Sequence, residues 1–434
     1  MRTVIQGGRV IDPAHQIDKV ADLYIADGRI ASLGEPPASF TLERIIDARD
    51  CIVCPGLIDL CARLREPGQE QKATIASETR AAAAGGITTL VCPPDTDPVI
   101  DEPAVVEWIR RRAKFAGHAR VLAMGALTYR LRGERLAEMA ALREASCVGV
   151  SDGGRPVANS RVLRRALEYA ATFDLTVFLT PLDVELGNGL AHEGPVATRM
   201  GLPGIPVAAE TGMIARDLEL IHDLGVRAHF GRLSSGRSVE LIARAQAEGL
   251  PVTADVAVHH LHLTEMDLTR FDSRCHVRPP LRGRRDLEAL RAGLASGVLT
   301  AICSDHQPHE PDAKQAPFGD TEPGISGLDT LLGLSLRLVR DGVLSLPALI
   351  ERLTWGPARI LGLDCGHLGV GALADVCVFD PEIDRTVELD VLHSRGRNTP
   401  FLGWELQGRV THTLLEGCVV YEGGECPTVA NQPQ

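Results

Sequence analysis

The chain begins and ends on short stretches in which apolar and polar residues alternate. Between them the hydrophobic pattern changes period. Thr3–Ile11, Asp22–Leu33 and Ile45–Ala48 show the alternation of half-buried strands, and Leu373–Phe379 and Val410–Tyr421 repeat it near the C-terminus. Asp27-Gly28 and Glu416-Gly417 punctuate these runs as tight turns. The pattern predicts a small β-sandwich domain built from both ends, residues 1–54 with 365–434, flanking a larger unit at 55–364.

That larger unit alternates short apolar runs with amphipathic stretches, the signature of parallel βα units. The strands expected are the run before Asp59, then Thr88–Cys92, Val121–Gly125, Cys147–Val150, Leu175–Leu179, Arg227–Phe230, Val252–Val256 and Thr300–Ser304. Helical patterns cover Lys72–Ala84, Glu102–Ala116, Ser160–Thr172, Ala215–Leu224, Ser238–Glu248 and Arg284–Ala295. Eight such units in one run predict an α/β fold, a (β/α)8 TIM barrel, whose reactive groups belong at the C-terminal strand ends.

Composition narrows the function classes. A net charge of −12 over 434 residues argues against nonspecific binding to nucleic acid or an anionic membrane. Eleven cysteines scattered through apolar runs suit a reducing, cytoplasmic setting better than a disulfide framework. Cys51 and Cys54 form a C-x-x-C with no second pair at ligand spacing, and they read as core residues. His259, His260 and His262 look like a metal cluster but read as structural or surface groups. Asp312–Ala316 reads as an exposed loop.

Pro55-Gly-Leu-Ile-Asp-Leu-Cys-Ala-Arg-Leu-Arg-Glu-Pro-Gly68 is the most informative stretch. It resembles the first barrel strand of cyclic amidohydrolases, above all dihydroorotases, where Asp-x-His-x-His-x-Arg-Glu/Asp-Pro-Gly recurs. Further motifs follow in the same order as in that family: Ala83-Ala-Gly-Gly-Ile-Thr-Thr89, Ser151-Asp152, Gly201-Leu-Pro-Gly-Ile-Pro206, Ser304-Asp-His-Gln-Pro-His309, Gly324-Ile-Ser-Gly-Leu-Asp-Thr330 and Gly356-Pro-Ala-Arg359. Each is short; their order and spacing together make the resemblance specific across nearly the whole chain.

The resemblance implies a zinc site built from two first-strand histidines, two further histidines and two aspartates. There zinc would polarise an amide carbonyl and supply hydroxide near neutral pH. This chain keeps the aspartates as Asp152 and Asp305, while the histidine positions hold Cys61, Arg63, Pro181 and Arg232. Two carboxylates and one thiol fall short of a zinc site, and guanidiniums neither deprotonate nor tolerate a nearby dication. No cofactor is therefore expected. Asp152 and Asp305, left without metal, call for compensation. The expectation is that Arg63 and Arg232 provide it, as ion pairs with Asp152 and Asp305.

The substrate side has changed as well. Arg65 and His309 remain at positions that bind substrate in the family, but its two asparagines appear as Asp95 and Arg278. An aspartate beside a substrate carboxylate would oppose binding. Vestigial is therefore the reading for all of these, and no catalytic residue is expected. The family includes homologues lacking the zinc histidines that assemble with aspartate transcarbamoylase in pyrimidine synthesis, and this chain resembles them. That likeness implies a scaffold role beside the aspartate transcarbamoylase catalytic chain, as a homodimer within a larger assembly. Two other readings stay open: an active cyclic amidase with a non-standard zinc site on Asp152, Asp305 and Cys61 or a nearby histidine, and a sensor using Arg65 and His309.

Overall fold

In the computed structural model, which describes residues 2–38 and 40–423, the barrel wall consists of eight short parallel strands. They are Leu57–Asp59, Ile87–Cys92, Arg120–Ala123 continued by Gly125–Ala126, Val150–Ser151, Val177–Leu179, Ala228–Phe230, Val252–Ala257 and Ala301–Cys303. Each pairs with its sequence neighbour. The second strand is buried at every position, because helices cover one face and the barrel interior the other. Ile58, Cys61, Val91, Phe178, Ala257 and Cys303 pack inside the wall.

The ring closes at its C-terminal rim rather than along the strands. Ala62 bridges His306; the Arg63 amide donates to the His306 carbonyl at 2.9 Å, and the His306 amide to the Cys61 carbonyl at 3.1 Å. Below this the Ser304 amide and hydroxyl both donate to the buried Asp59 carboxylate, the amide at 2.9 Å. The seam of the barrel thus runs through the motif-bearing residues.

Helix boundaries follow local chemistry. The first helix spans Ile75–Ala84 rather than starting at Lys72, because Thr74 caps it in a reciprocal box with Ser77. It stops at Gly85 and Gly86; the latter has φ +79°, and a Cβ there would lie 2.5 Å from Cys377 Sγ. The helix expected at Ala215–Leu224 begins at Ala208, seven residues earlier, since tertiary packing carries it across Gly212. The fourth strand forms only at Val150–Ser151, later than Cys147.

Strands from both ends build the sandwich. One sheet runs Arg29–Leu33, Leu23–Ala26, Arg2–Gln6, Arg44–Asp47; the other runs Cys418–Glu422, Glu405–Leu415, Val376–Thr386, Ile52–Pro55, Arg9–Asp12, Ile17–Val20. Ile5, Leu23, Ile25, Val53, Val376 and Leu414 fill the space between them. The Asp27-Gly28 and Glu416-Gly417 turns have positive φ at both residues, the geometry that suits two-residue hairpins. They also touch: a Cβ on Gly28 would meet the Glu416 carbonyl at 3.0 Å. The polar tail after Gly423 lies outside the described residues.

Candidate functional site

Three backbone positions at the rim are strained. Arg65, Arg232 and Asp305 all have left-handed φ, at 62°, 59° and 44°. Such conformations cost non-glycine residues about 1–3 kcal/mol each and concentrate at functional sites. The surrounding hydrogen bonds hold them in place. Asp255, on the seventh strand, accepts from the Arg232 amide at 2.5 Å, and its other oxygen lies 3.2 Å from His229 Nε2.

Side chains from these positions converge on Asp305. Arg63 Nη1 lies 3.4 Å from Asp305 Oδ1, and Arg232 Nε lies 3.5 Å from the same oxygen. Gln307 Nε2 donates to the other oxygen at 3.1 Å. Arg63 Nε donates to Asp95 at 2.8 Å, while Arg232 donates to Cys61 Sγ at 3.0 Å and to Thr180 Oγ1 at 2.6 Å. Arg63 and Arg232 are each 10 % exposed and Asp305 2 %, while Asp95 is half-buried. Burial disfavours the Asp95 carboxylate, yet Arg63 outweighs it and holds the pKa below the usual range. Asp95 is therefore the counter-ion of Arg63, a role that its position beside an expected substrate carboxylate did not suggest.

The expected pairing with Asp152 is not formed. Asp152 accepts from the Thr128 amide at 2.8 Å and the Thr128 hydroxyl at 2.6 Å, and neither Arg63 nor Arg232 bonds to it. Thr128 follows directly on the third strand, so its donors are local to Asp152, while Asp95 intercepts Arg63 first. Burial pushes the Asp152 pKa up to about 6, against the pull of Thr128. The consequence for stability is the reverse of an ion-paired aspartate. As pH falls from 7 through about 6, the native state binds this proton before the unfolded chain does, so stability rises until the unfolded carboxyl also protonates near pH ~3.9. Asp152→Asn should remove this component of the pH dependence, read as a flatter profile of urea midpoint between pH ~4 and ~6.5.

Of the expected substrate residues, two meet. Arg65 Nη2 lies 3.1 Å from His309 Nε2, and Arg65 Nε donates to the Pro308 carbonyl at 3.0 Å. Lys72, 5 % exposed, sits 3.3 Å from His309 Nδ1 and pairs with Glu322 at 2.6 Å. Burial, with Arg65 and Lys72, drives His309 down to about 2, so the ring is neutral. These contacts tie the segment after the eighth strand down over the rim. The expected loop at Asp312–Ala316 forms part of a one-turn 3-10 helix, Pro311–Lys314, and Lys314 Nζ donates to the Ser273 carbonyl at 3.1 Å. Arg278 stands apart: it is exposed and donates to the Gly189 carbonyl at 3.1 Å.

Two small cavities border the mouth residues. The cavity bordered by Arg63, Arg65 and Asp95 measures about 10 Å³, and the one bordered by Asp152, Arg155 and Thr180 about 20 Å³. Each has room for about one water molecule.

The remaining sequence candidates are structural. Cys51 and Cys54 are buried, and Cys54 stands opposite Cys377 across two antiparallel strands. His259 and His260 are buried with ring centroids 4.5 Å apart, and burial pushes both down to about 3. A surface position is thus ruled out for them. His262 Nε2 donates to the Leu334 carbonyl at 2.8 Å.

Comparison with known proteins places this geometry. Residues 50–238 match the family described as "Dihydro-orotase-like", and residues 205–420 the "Amidohydrolase family". A "Dihydroorotase-like protein" of Pseudomonas aeruginosa is 53 % identical, with 98 % of this chain and 100 % of that protein covered. The chain belongs to the dihydroorotase-like amidohydrolases. A "Dihydroorotase" of Syntrophotalea carbinolica is 46 % identical, covering 97 % of this chain and 99 % of its own. Among solved structures, the L-hydantoinase (dihydropyrimidinase) of Arthrobacter aurescens superposes with a TM-score of 0.87 at 24 % identity, covering 98 % of this chain and 97 % of that one. That likeness supports the barrel-plus-sandwich architecture.

The zinc that the dihydroorotase-like resemblance implies does not fit the residues present. Burial pushes the Cys61 thiol up to about 12, with Arg232 opposing, so it is not a thiolate at neutral pH. Pro181 offers no side-chain donor atom, Asp152 is held by Thr128, and Asp305 Oδ1 is shared by two guanidiniums. Among the described residues no three His, Cys, Asp or Glu side chains converge as a metal cluster. No helix among them is long and apolar enough to cross a membrane.

Several contributors went unread in the sequence: Thr128, Thr180, Asp255, Gln307, Lys72 and Glu322. Only Gln307 carried a signal, lying inside the Ser304–His309 motif. Asp255 lies on the seventh strand, and the other four come from loops far apart in the chain.

Proposed function

We propose that this protein is a catalytically inactive dihydroorotase-like subunit. In this reading it acts as a cytoplasmic scaffold for the catalytic chain of aspartate transcarbamoylase in de novo pyrimidine biosynthesis, as a homodimer within a larger hetero-oligomer. One observation carries the loss of catalysis: two guanidiniums stand at family ligand positions and share the Asp305 carboxylate. Metal binding there would require breaking both ion pairs against a dication's repulsion. The partner rests on resemblance to the zinc-histidine-lacking homologues.

The alternative is an active cyclic amidase of the dihydroorotase type. It draws on relatives named "Dihydroorotase" at 44–46 % identity. Co-expression distinguishes what the protein is for. With a tagged aspartate transcarbamoylase catalytic chain from the same genome, the scaffold reading expects stoichiometric co-elution and a gain in transcarbamoylase activity or stability over that chain alone. Separate elution with unchanged transcarbamoylase activity would remove the scaffold reading.

A further inference from the structure

A cavity of about 430 Å³, sharing no lining residue with the small cavities at the mouth, lies where the sandwich strands Val376–Thr386 and Glu405–Leu415 meet the C-terminal end of the first barrel helix. Its size is in the range of small-molecule sites, roughly 300–1,000 Å³. Leu332, Leu392 and Val410, all buried, give it an apolar lining. Arg385, Arg409, His393 and Tyr421 supply the polar groups.

Charge is unevenly satisfied there. Asp329 accepts from the amides of His393 and Ser394, at 2.8 and 3.1 Å, and from His393 Nδ1 at 3.3 Å. Burial disfavours this carboxylate, but those donors outweigh it and hold its pKa below the usual range. The same residue's backbone carbonyl, not its carboxylate, accepts from Arg385 Nη2. Arg385 Nε is buried with no hydrogen-bond partner among the described residues. Arg409 donates to the Gly423 carbonyl at 3.4 Å. Among the described residues, both arginines bond to backbone carbonyls and neither has a carboxylate within ion-pair distance. Two further aspartates, Asp384 and Asp390, are exposed at the rim. Burial lowers the Arg385 pKa, and Arg409 lowers it further against the pull of Asp329 and Tyr421. Arg409 is exposed, but Arg385 is half-buried with its Nε buried and unbonded, and a cation held partly away from water with no carboxylate at ion-pair distance is costly. A bound anion would relieve that cost.

We propose that this seam pocket binds a small amphipathic anion, a carboxylate or phosphate on a flat apolar body. The anionic group meets Arg385 and Arg409, and the body lies against Leu332 and Val410. Because the pocket bridges barrel and sandwich, occupancy would tighten the junction between them. The proposal is independent of what the barrel mouth does.

Calorimetry on the full chain at low salt tests it with phenyl phosphate, benzoate, inorganic phosphate and neutral benzamide. The expected result is binding of phenyl phosphate or benzoate, weaker binding of inorganic phosphate, and none of benzamide. Whichever of the first two binds better identifies the anionic group. Arg385→Gln should weaken that binding about tenfold or more, as expected for a lost charged hydrogen bond. Arg65→Gln at the mouth should leave it unchanged. Arg409→Gln provides a second reading if Arg385→Gln fails to fold, with the same direction expected. Absence of binding by both aromatic anions, equal binding of benzamide, or retained affinity in the arginine variants would overturn the proposal.

Discussion

Arg63→Ala should destabilise the barrel by about 3–5 kcal/mol, the usual cost of deleting one partner of a buried ion pair. The side chain is 10 % exposed and serves two carboxylates, Asp95 at 2.8 Å and Asp305 at 3.4 Å. Burial works to discharge Arg63, and Asp95 and Asp305 outweigh it, raising its pKa. Truncation leaves Arg232 as the remaining cation on Asp305 and strips Asp95 of its bonded partner. The check is a double-mutant cycle in urea. Arg63→Ala combined with Asp95→Ala should cost less than the sum of the single changes, with a coupling of about 1–3 kcal/mol. Additive losses, or a single-mutant cost below ~1 kcal/mol, would mean the guanidinium does not compensate the carboxylates.

Glu78→Ala should cost a similar amount, for a different reason. Glu78 is wholly buried on the first helix and collects four donors from three parts of the chain. Its Oε2 lies 2.8 Å from His306 Nε2 and accepts from the Ser394 hydroxyl at 2.6 Å. Its Oε1 accepts from the Arg395 amide at 3.1 Å and the Ser77 hydroxyl at 2.7 Å. The Gly327 amide donates to His306 Nδ1 at 3.0 Å, which fixes the proton on Nε2 facing Glu78. Removing the carboxylate strands at least two buried donors, His306 and Ser394, each costing about 1–3 kcal/mol. Glu78→Gln, which keeps one acceptor oxygen, should lose distinctly less. The urea midpoints of the two variants, compared with wild type, make the check.

His306 illustrates what the sequence could and could not convey. It lies within Ser304–His309, the motif with the densest chemistry in the chain, yet its ring faces away from the mouth and joins strand eight to the first helix. Its partner lies 228 positions away, beyond any spacing rule. The fold was legible because its signals are local. Short, mainly apolar runs, the Asp27-Gly28 and Glu416-Gly417 turns, and the order of the motifs each need only neighbouring residues. The chemical character of the mouth was legible too, since Cys61, Arg63, Pro181 and Arg232 announce themselves by residue type.

Pairing was the part hidden. Two arginines do face two carboxylates, but the second is Asp95 rather than Asp152. Asp152 is served by a hydroxyl and an amide from Thr128, and Asp95 takes its place opposite Arg63. Which carboxylate a guanidinium reaches depends on the stagger of adjacent strands and the path of the loops leaving them. Neither is written in the composition of either loop.

On the proposed function, guanidiniums have taken the place that zinc holds in the family. Zinc content and dihydroorotate ring opening, measured on one preparation of the full chain purified with zinc supplied, test it most directly. The account predicts substoichiometric zinc removed by mild dialysis and no ring opening above the uncatalysed rate. Stoichiometric, dialysis-resistant zinc together with turnover that chelation abolishes would contradict it.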